Sequence, residues 1–203
     1  MRADNGCFPH PCHGQRRMRI SDDRYHRERL RLEVALRFLR HEARTQTIRA
    51  WTGLTDDRIR KLYRSYLAQA QRALPRHRGK SPHQVAYFSR SLRLQEETLA
   101  LTTILYLLGV LPAPREPEAP GSAAALARGA LLCRAFEAYR LVRPAALISF
   151  EHAVFLAGAL GRGEQLRVGW CAGCGGLMVC EAFALRSRRC PHCAGTAQAR
   201  GAG

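Results

Sequence analysis

Residues 43–74 read ARTQTIRAWTGLTDDRIRKLYRSYLAQAQRAL, and this stretch sets the fold class of the chain. Ile48, Ala50 and Trp51 belong to one helix, which Gly53 and Leu54 interrupt. Thr55 is a good N-cap, and Asp56 and Asp57 follow it in the first turn, against the positive end of a helix dipole. Beyond them Ile59, Leu62, Tyr63, Tyr66, Leu67 and Ala70 recur at steps of three and four, the period of a helix with one apolar face. A helix, a glycine turn and a capped second helix outline a helix-turn-helix. Arg58, Lys61 and Arg64 stand around the apolar stripe of the second helix as candidate DNA contacts. An ordinary helical hairpin with a solvated basic face has the same pattern.

Upstream, Ser21 with Asp22 and Asp23 marks a helix start, and Leu32, Ala35, Leu36 and Leu39 carry the pattern to about Arg40 with no obvious break before Ala43. Residues 1–20 read as a disordered basic leader. It holds Cys7, His10, Cys12 and His13 with no apolar pattern around them to fix a metal site. Downstream, the loop PRHRGKSP (75–82) precedes a helical segment at about 84–108, with Leu92, Glu96, Leu99 and Thr103 on one face and the apolar Leu101, Ile104, Leu105 and Leu108 nearby. The end of that segment, from Thr98 to Leu108, is apolar on almost every side and predicts a core helix or a subunit interface. Four prolines between 112 and 121 require a loop. Ser122 then opens a helix to Val142, with Leu126, Ala130, Cys133, Phe136 and Tyr139 inward. After Pro144 a further helix through Leu160 uses Leu147, Ile148, Val154 and Phe155, and Gly161 and Gly163 end it.

Past Gly163 the pattern changes. Leu166, Val168 and Trp170 alternate as in a strand. Cys171-Ala-Gly-Cys174-Gly-Gly follows, and 15 residues separate Cys174 from the second pair, Cys190-Pro-His-Cys193. Two CxxC pairs at this spacing predict a four-thiolate site for one structural Zn2+ per chain. Each CxxC turn aims two sulfurs at one point, and small following residues let backbone amides approach the thiolates. Leu177 to Val179 and Ala182 to Leu185 are the expected strands of a small ribbon between the pairs. Cys180 and His192 are the competing ligands nearby, and Cys133 and His152 fall within helices as packed or surface residues. Four thiolates close the coordination shell, so catalytic zinc is not expected. Arg186, Arg188 and Arg189 lead into the second pair and are candidate phosphate contacts.

Charge agrees with a polyanionic partner. Lys plus Arg total 33 against 16 acidic residues in 203, a net charge of +17. Residues 1–80 hold 20 of the basic and 8 of the acidic side chains, so +12 of the excess lies there. Lys61 and Lys80 are the only lysines. The arginine excess suits phosphate and guanine recognition, although a GC-rich genome produces the same skew. No stretch reaches the roughly 20 apolar residues that span a bilayer, and no signal-peptide pattern opens the chain. A cytoplasmic location with no membrane partner is expected, where cysteines serve as metal ligands or buried thiols. There is no Ser/His/Asp set, phosphate loop or paired carboxylates to suggest an enzyme.

The domain layout expected is a leader (1–20), a helical DNA-binding and oligomerisation domain (21–163), a zinc module (164–195) and a tail (196–203). The fold class expected is mostly α, with a helix-turn-helix-like pair and a small C-terminal four-Cys zinc-ribbon-like module. Taken in order, two anchors resemble the FlhC family, the C subunit of the flagellar master transcriptional activator of proteobacteria. One runs from Ala43-Arg44-Thr45-Gln46 through Leu54-Thr55 to Arg58-Ile59-Arg60-Lys61-Leu62-Tyr63. The other is Cys171, Cys174, Gly175, Gly176, Cys190 and Cys193. The Gly79–Pro82 loop and the helix around Tyr139 and Arg140 also look similar, so the likeness covers roughly residues 25–195. It implies a DNA-binding activator subunit that works in a hetero-oligomer with an FlhD-type subunit, recruits RNA polymerase to flagellar operons, and holds structural zinc on the four cysteines. The leader and the short tail after Cys193, where only Arg200 is charged, depart from the family. The alternative is an RNA-binding zinc-ribbon protein such as a ribosome-associated factor. That function favours exposed stacking aromatics, and Tyr63 and Tyr66 on the apolar stripe argue against it.

Overall fold

A computed structural model describes residues 20–67, 79–112, 118–183, 189–190 and 192–193. The chain is mostly helical: α1 (Ile20–Arg40), α2 (Thr45–Thr52), α3 (Asp56–Tyr66), a 3-10 turn at Val85–Phe88, α4 (Leu92–Leu107), α5 (Ala123–Val142) and α6 (Phe150–Arg162), then β1 (Leu166–Trp170) and β2 (Leu177–Glu181). None of the described helices is long and apolar enough to cross a membrane.

The helix starts follow local chemistry. Thr55 caps α3 by accepting from the Arg58 N–H, as its position predicts, and Ser122 caps α5 through the Ala125 N–H. Ser91 and Ser149 cap α4 and α6 in the same way. α2 ends at Gly53, whose φ of 67° lies in the left-handed region that a side chain disfavours. The break between α1 and α2, which periodicity does not reveal, is a Schellman-type turn. Ala43 N–H donates to Phe38 O, Glu42 N–H donates to Leu39 O, and Glu42 takes φ 61°.

The core lies where α1, α2, α4, α5 and α6 meet. Phe38, Ile48, Leu101, Leu126, Leu132, Phe136, Phe150 and Leu156 are buried there. Phe150 packs edge-on against both Phe38 and Phe136, at centroid separations of 5.0 and 5.2 Å. Glu97 is buried between α4 and α5 and accepts from the Tyr139 hydroxyl, the Leu147 N–H and the Arg93 Nε–H. A buried carboxylate with three donors is compensated rather than stranded.

Packing shifts several faces from those expected. The buried stripe of α1 is Val34, Ala35, Phe38 and Leu39, and Leu32 and Leu36 are only half-buried. On α4 the Leu92, Glu96, Leu99 and Thr103 face is the outer one, while Leu94, Glu97, Thr98, Leu101, Thr102 and Leu105 turn inward. A helix with apolar side chains nearly all round leaves that choice to its neighbours. Residues 144–149 form the loop before α6, so Leu147 is exposed, and Val154 and Phe155 sit at the edge of the core. The segment expected as one helix from 84 is a 3-10 turn followed by the capped α4.

The two strands form one antiparallel ribbon, with Leu166 opposite Glu181, Val168 opposite Val179 and Trp170 opposite Leu177. Among the described residues β2 pairs backwards with β1. Ala182 and Phe183 are in a turn, and 184–185 lie outside the described residues. The ribbon seats on the helices: β2 touches α4 and β1 touches α6. Leu166 is buried, Ser89 donates to Glu181, and His192 Nε2 lies 2.9 Å from Glu96 Oε1. α6 ends at Gly163, its left-handed C-cap, and the ribbon follows.

Candidate metal centre and basic helix face

β1 delivers Cys171 to the end of the ribbon, where the chain reverses. Gly175 N–H donates to Cys171 O at 2.9 Å, and Cys171 N–H donates to Gly176 O at 2.8 Å. The turn passes through Gly175 at φ 70°. It brings Cys174 beside Cys171, and the second pair closes over both. The sulfurs of Cys171, Cys174, Cys190 and Cys193 all lie within 4.8 Å of one another. Cys174 and Cys190 are 3.8 Å apart, sulfur to sulfur. A tetrahedral thiolate site with metal–sulfur bonds of about 2.3 Å has edges of about 3.8 Å, so the donor set fits a metal ion of that kind.

Two backbone donors reach Cys171 Sγ: Gly173 N–H at 3.3 Å and, across the site, Cys190 N–H at 3.1 Å. The second contact ties the two CxxC turns together before any metal is considered. Gly173 has a further role. A Cβ there would stand 3.0 Å from both Cβ and Sγ of Cys193, so the pairs approach this closely only because that position lacks a side chain.

The thiols divide electrostatically. The Cys171 thiol is drawn down to about 6, first by the Cys190 N–H and then by the Cys174 and Gly173 N–H groups, with burial opposing. Cys193 is pushed up to about 12, chiefly by its contacts with the Cys190 and Cys174 thiols. The backbone donors favour the Cys171 thiolate and the neighbouring thiols hold the Cys193 proton, which a cation bound by the cluster would displace.

The competing ligands stand elsewhere. Cys180 Sγ–H donates to Arg167 O at 3.6 Å, and the His192 ring turns to Glu96 on α4. Cys133 is fully buried, and burial pushes its thiol to about 12. His152 stacks on Tyr87 at 3.9 Å and faces the Ser149 hydroxyl. Cys7 and Cys12 lie outside the described residues.

α3 is the outermost helix of the N-terminal group. Ile59 is its one buried side chain, and Leu62 and Tyr63 are half-buried. Arg60, Lys61 and Arg64 face outward, Arg60 paired with Asp57 at 2.8 Å. Arg58 is exposed as well, and its guanidinium forms an ion pair with Glu28 of α1. It fastens α3 to α1. Tyr66, placed by periodicity on the apolar stripe, is 64% exposed, because α1 and α2 cover only the Ile59 side of the helix. Arg189 is exposed, whereas Arg186 and Arg188 lie outside the described residues.

Sequence reasoning missed Gly173, the Cys190 amide, and Glu28 and Glu96 as partners of Arg58 and His192. The glycine within Cys-Ala-Gly-Cys was a readable signal. The two carboxylates had none, since both contacts span distant segments. Comparison of the chain with protein-family models and with curated proteins finds no match.

Proposed function

We propose that the chain is a zinc-stabilised, DNA-binding subunit of a transcriptional activator. The reading follows the resemblance to the FlhC type, which works with an FlhD-type subunit and RNA polymerase at flagellar operons in the cytoplasm. The observation that carries this reading is the pairing of a closed four-thiol centre with an outward helix face bearing Arg60, Lys61 and Arg64. Zinc suits the donor set: four sulfurs within 4.8 Å of one another, with Cys174 and Cys190 at the 3.8 Å edge of a tetrahedron and amide donors to offset thiolate charge. Cys171, Cys174, Cys190 and Cys193 would hold it. Such a shell has no open position for water or substrate, so the metal supplies folding energy and the role is architectural rather than catalytic.

The arginines and lysine of α3 would meet phosphates, and Arg189 would extend the surface from the metal module. Tyr106, Leu107 and Leu108 at the end of α4 are 45%, 79% and 37% exposed, an apolar edge that suits a partner subunit. The test is co-expression with the FlhD-type subunit of the same genome, followed by size-exclusion chromatography, metal analysis and a gel shift on a flagellar promoter. A co-eluting complex with one zinc per chain and a retained promoter is expected. Separate elution with no shift would overturn the reading.

The second reading, an RNA-binding zinc-ribbon protein, gains from one observation. Tyr66, Trp170 and Phe183 are 64%, 68% and 82% exposed, and stacking on unpaired bases needs rings of that kind. Preference for single-stranded RNA over promoter duplex at equal salt would select it.

A further inference from the structure

The C-terminal ends of α1 and α5 and the start of α6 enclose an open cleft of about 520 Å³. Small-molecule sites commonly measure roughly 300–1,000 Å³. Arg40, His41, Glu137, Arg140, Leu141 and Phe150 line it, with Glu42 and Ser149 on the rim. The contact between Glu28 and Arg58 lies 12 residues before Arg40 on α1, roughly 18 Å away at 1.5 Å per residue. The cleft is therefore well separated from the α3 face.

Its charges are unevenly satisfied. Glu137 is neutralised from below by Arg37, which reaches one carboxylate oxygen at 2.7 Å, while His41 Nε2 lies 3.0 Å from the other. The Arg37 guanidinium also donates to Ala130 O, so it is held beneath the surface. Arg40 and Arg140 are exposed, and neither makes an ion pair with another described residue. Three guanidiniums, Arg37, Arg40 and Arg140, thus face two carboxylates, Glu42 and Glu137. The His41 ring stacks on Phe150 at 5.1 Å, edge-on to Phe136. Burial lowers its pKa in spite of Glu137, so near neutral pH it is a flat uncharged surface. Beside it Leu141 is 82% exposed. Unpaired guanidiniums over an apolar wall match an anion that has an apolar body, because Arg offers paired donors to phosphate or carboxylate oxygens.

We propose that this cleft binds a small organic anion, its phosphate or carboxylate head held by Arg40 and Arg140 and its apolar body lying against Leu141 and the His41 ring. The site stands independently of the DNA-binding reading.

Calorimetric titration of the metal-loaded full chain with phenyl phosphate, and separately with inorganic phosphate, tests it. Saturable binding of phenyl phosphate is expected, tighter than that of inorganic phosphate. Arg40→Gln and Arg140→Gln should each weaken it roughly tenfold, about 1.4 kcal/mol, with thermal unfolding unchanged because both side chains are exposed. Leu141→Ser should erase the advantage of phenyl phosphate over inorganic phosphate. Absence of saturable binding overturns the proposal, as does binding that ignores both arginine substitutions. Equal affinity for the two probes removes the apolar half of the claim. Duplex affinity that falls in both arginine variants, with no phenyl phosphate bound, would instead assign the cleft to the nucleic-acid surface.

Discussion

The Tyr139 hydroxyl donates to Glu97 across 2.5 Å in the seam between α4 and α5, and the same carboxylate oxygen accepts the Leu147 N–H at 2.7 Å. One side chain thereby joins α4, α5 and the loop that leads into α6. Burial alone raises the Glu97 carboxyl, but the Tyr139, Leu147 and Arg93 donors outweigh it and hold the group below the usual range. The carboxylate therefore contributes stability that is complete above its unfolded pKa of about 4.3 and is lost as pH falls through the lower folded value. Replacing Glu97 with Leu leaves a buried phenol and a backbone N–H without an acceptor and should cost about 3 kcal/mol. Urea unfolding at neutral pH reads that loss. Repeated at pH values below 4, it should show the gap between wild type and Glu97→Gln closing. A constant gap down the pH series would remove the electrostatic part of the account.

Gly121 precedes the cap of α5 at φ 73°, and a Cβ there would stand 2.7 Å from both the Thr52 carbonyl oxygen and an Arg31 guanidinium nitrogen. The arginine can move, but the carbonyl belongs to the end of α2. Gly121→Ala should destabilise the chain by about 2 kcal/mol or more, strain and backbone clash together. Gly163→Ala shares the left-handed φ with no atom in reach, and about 1 kcal/mol is expected for it. Thermal melts of the two variants order the effects, and equal losses would contradict the clash.

At the four-thiol cluster, Gly173→Ala pushes on Cys193 while leaving every ligand in place. Metal affinity should drop about tenfold, the loss that displaced supporting groups commonly cause. Cys174→Ser and Cys190→Ser each remove a ligand and should lose the stoichiometric metal. Competition with a chromophoric chelator measures all three. Full occupancy in both serine variants would exclude these cysteines as ligands.

The basic face of α3 divides into two kinds of residue. Lys61 and Arg64 are exposed and make no ion pair with another described residue, so each free to meet a phosphate should reduce the slope of log affinity against log salt by about 0.9 on removal. Arg58 is anchored to Glu28, and Arg58→Gln should leave that slope unchanged while lowering the melting temperature. Binding by the intact complex across a salt series, beside melts of the same variants, separates the roles. An unchanged slope for Lys61→Ala and Arg64→Ala would remove this helix face from the proposed DNA surface.

Several features are written locally and were legible in the chain alone. Thr55 and Ser122 cap helices because their hydroxyls bond amides three residues on, whatever surrounds them. Two CxxC turns converge because each presets its own pair of sulfurs, so Cys171, Cys174, Cys190 and Cys193 were readable from spacing. A mostly helical chain followed by a cysteine module needed no more than period and spacing. Which face of an apolar helix turns inward was decided by its neighbours: Leu101 and Leu105 of α4 face the core, while Leu92 stays 46% exposed. The same holds for Tyr66, which lies 64% exposed because none of the described elements covers its side of α3, and for β2, which found its partner in β1 behind it. Arg58 and Glu28, His192 and Glu96, and the arginines around His41 are contacts between segments distant in the chain. Period and spacing carry information over one or two turns of chain, whereas burial and charge pairing belong to the packed whole, so only the tertiary structure could decide them.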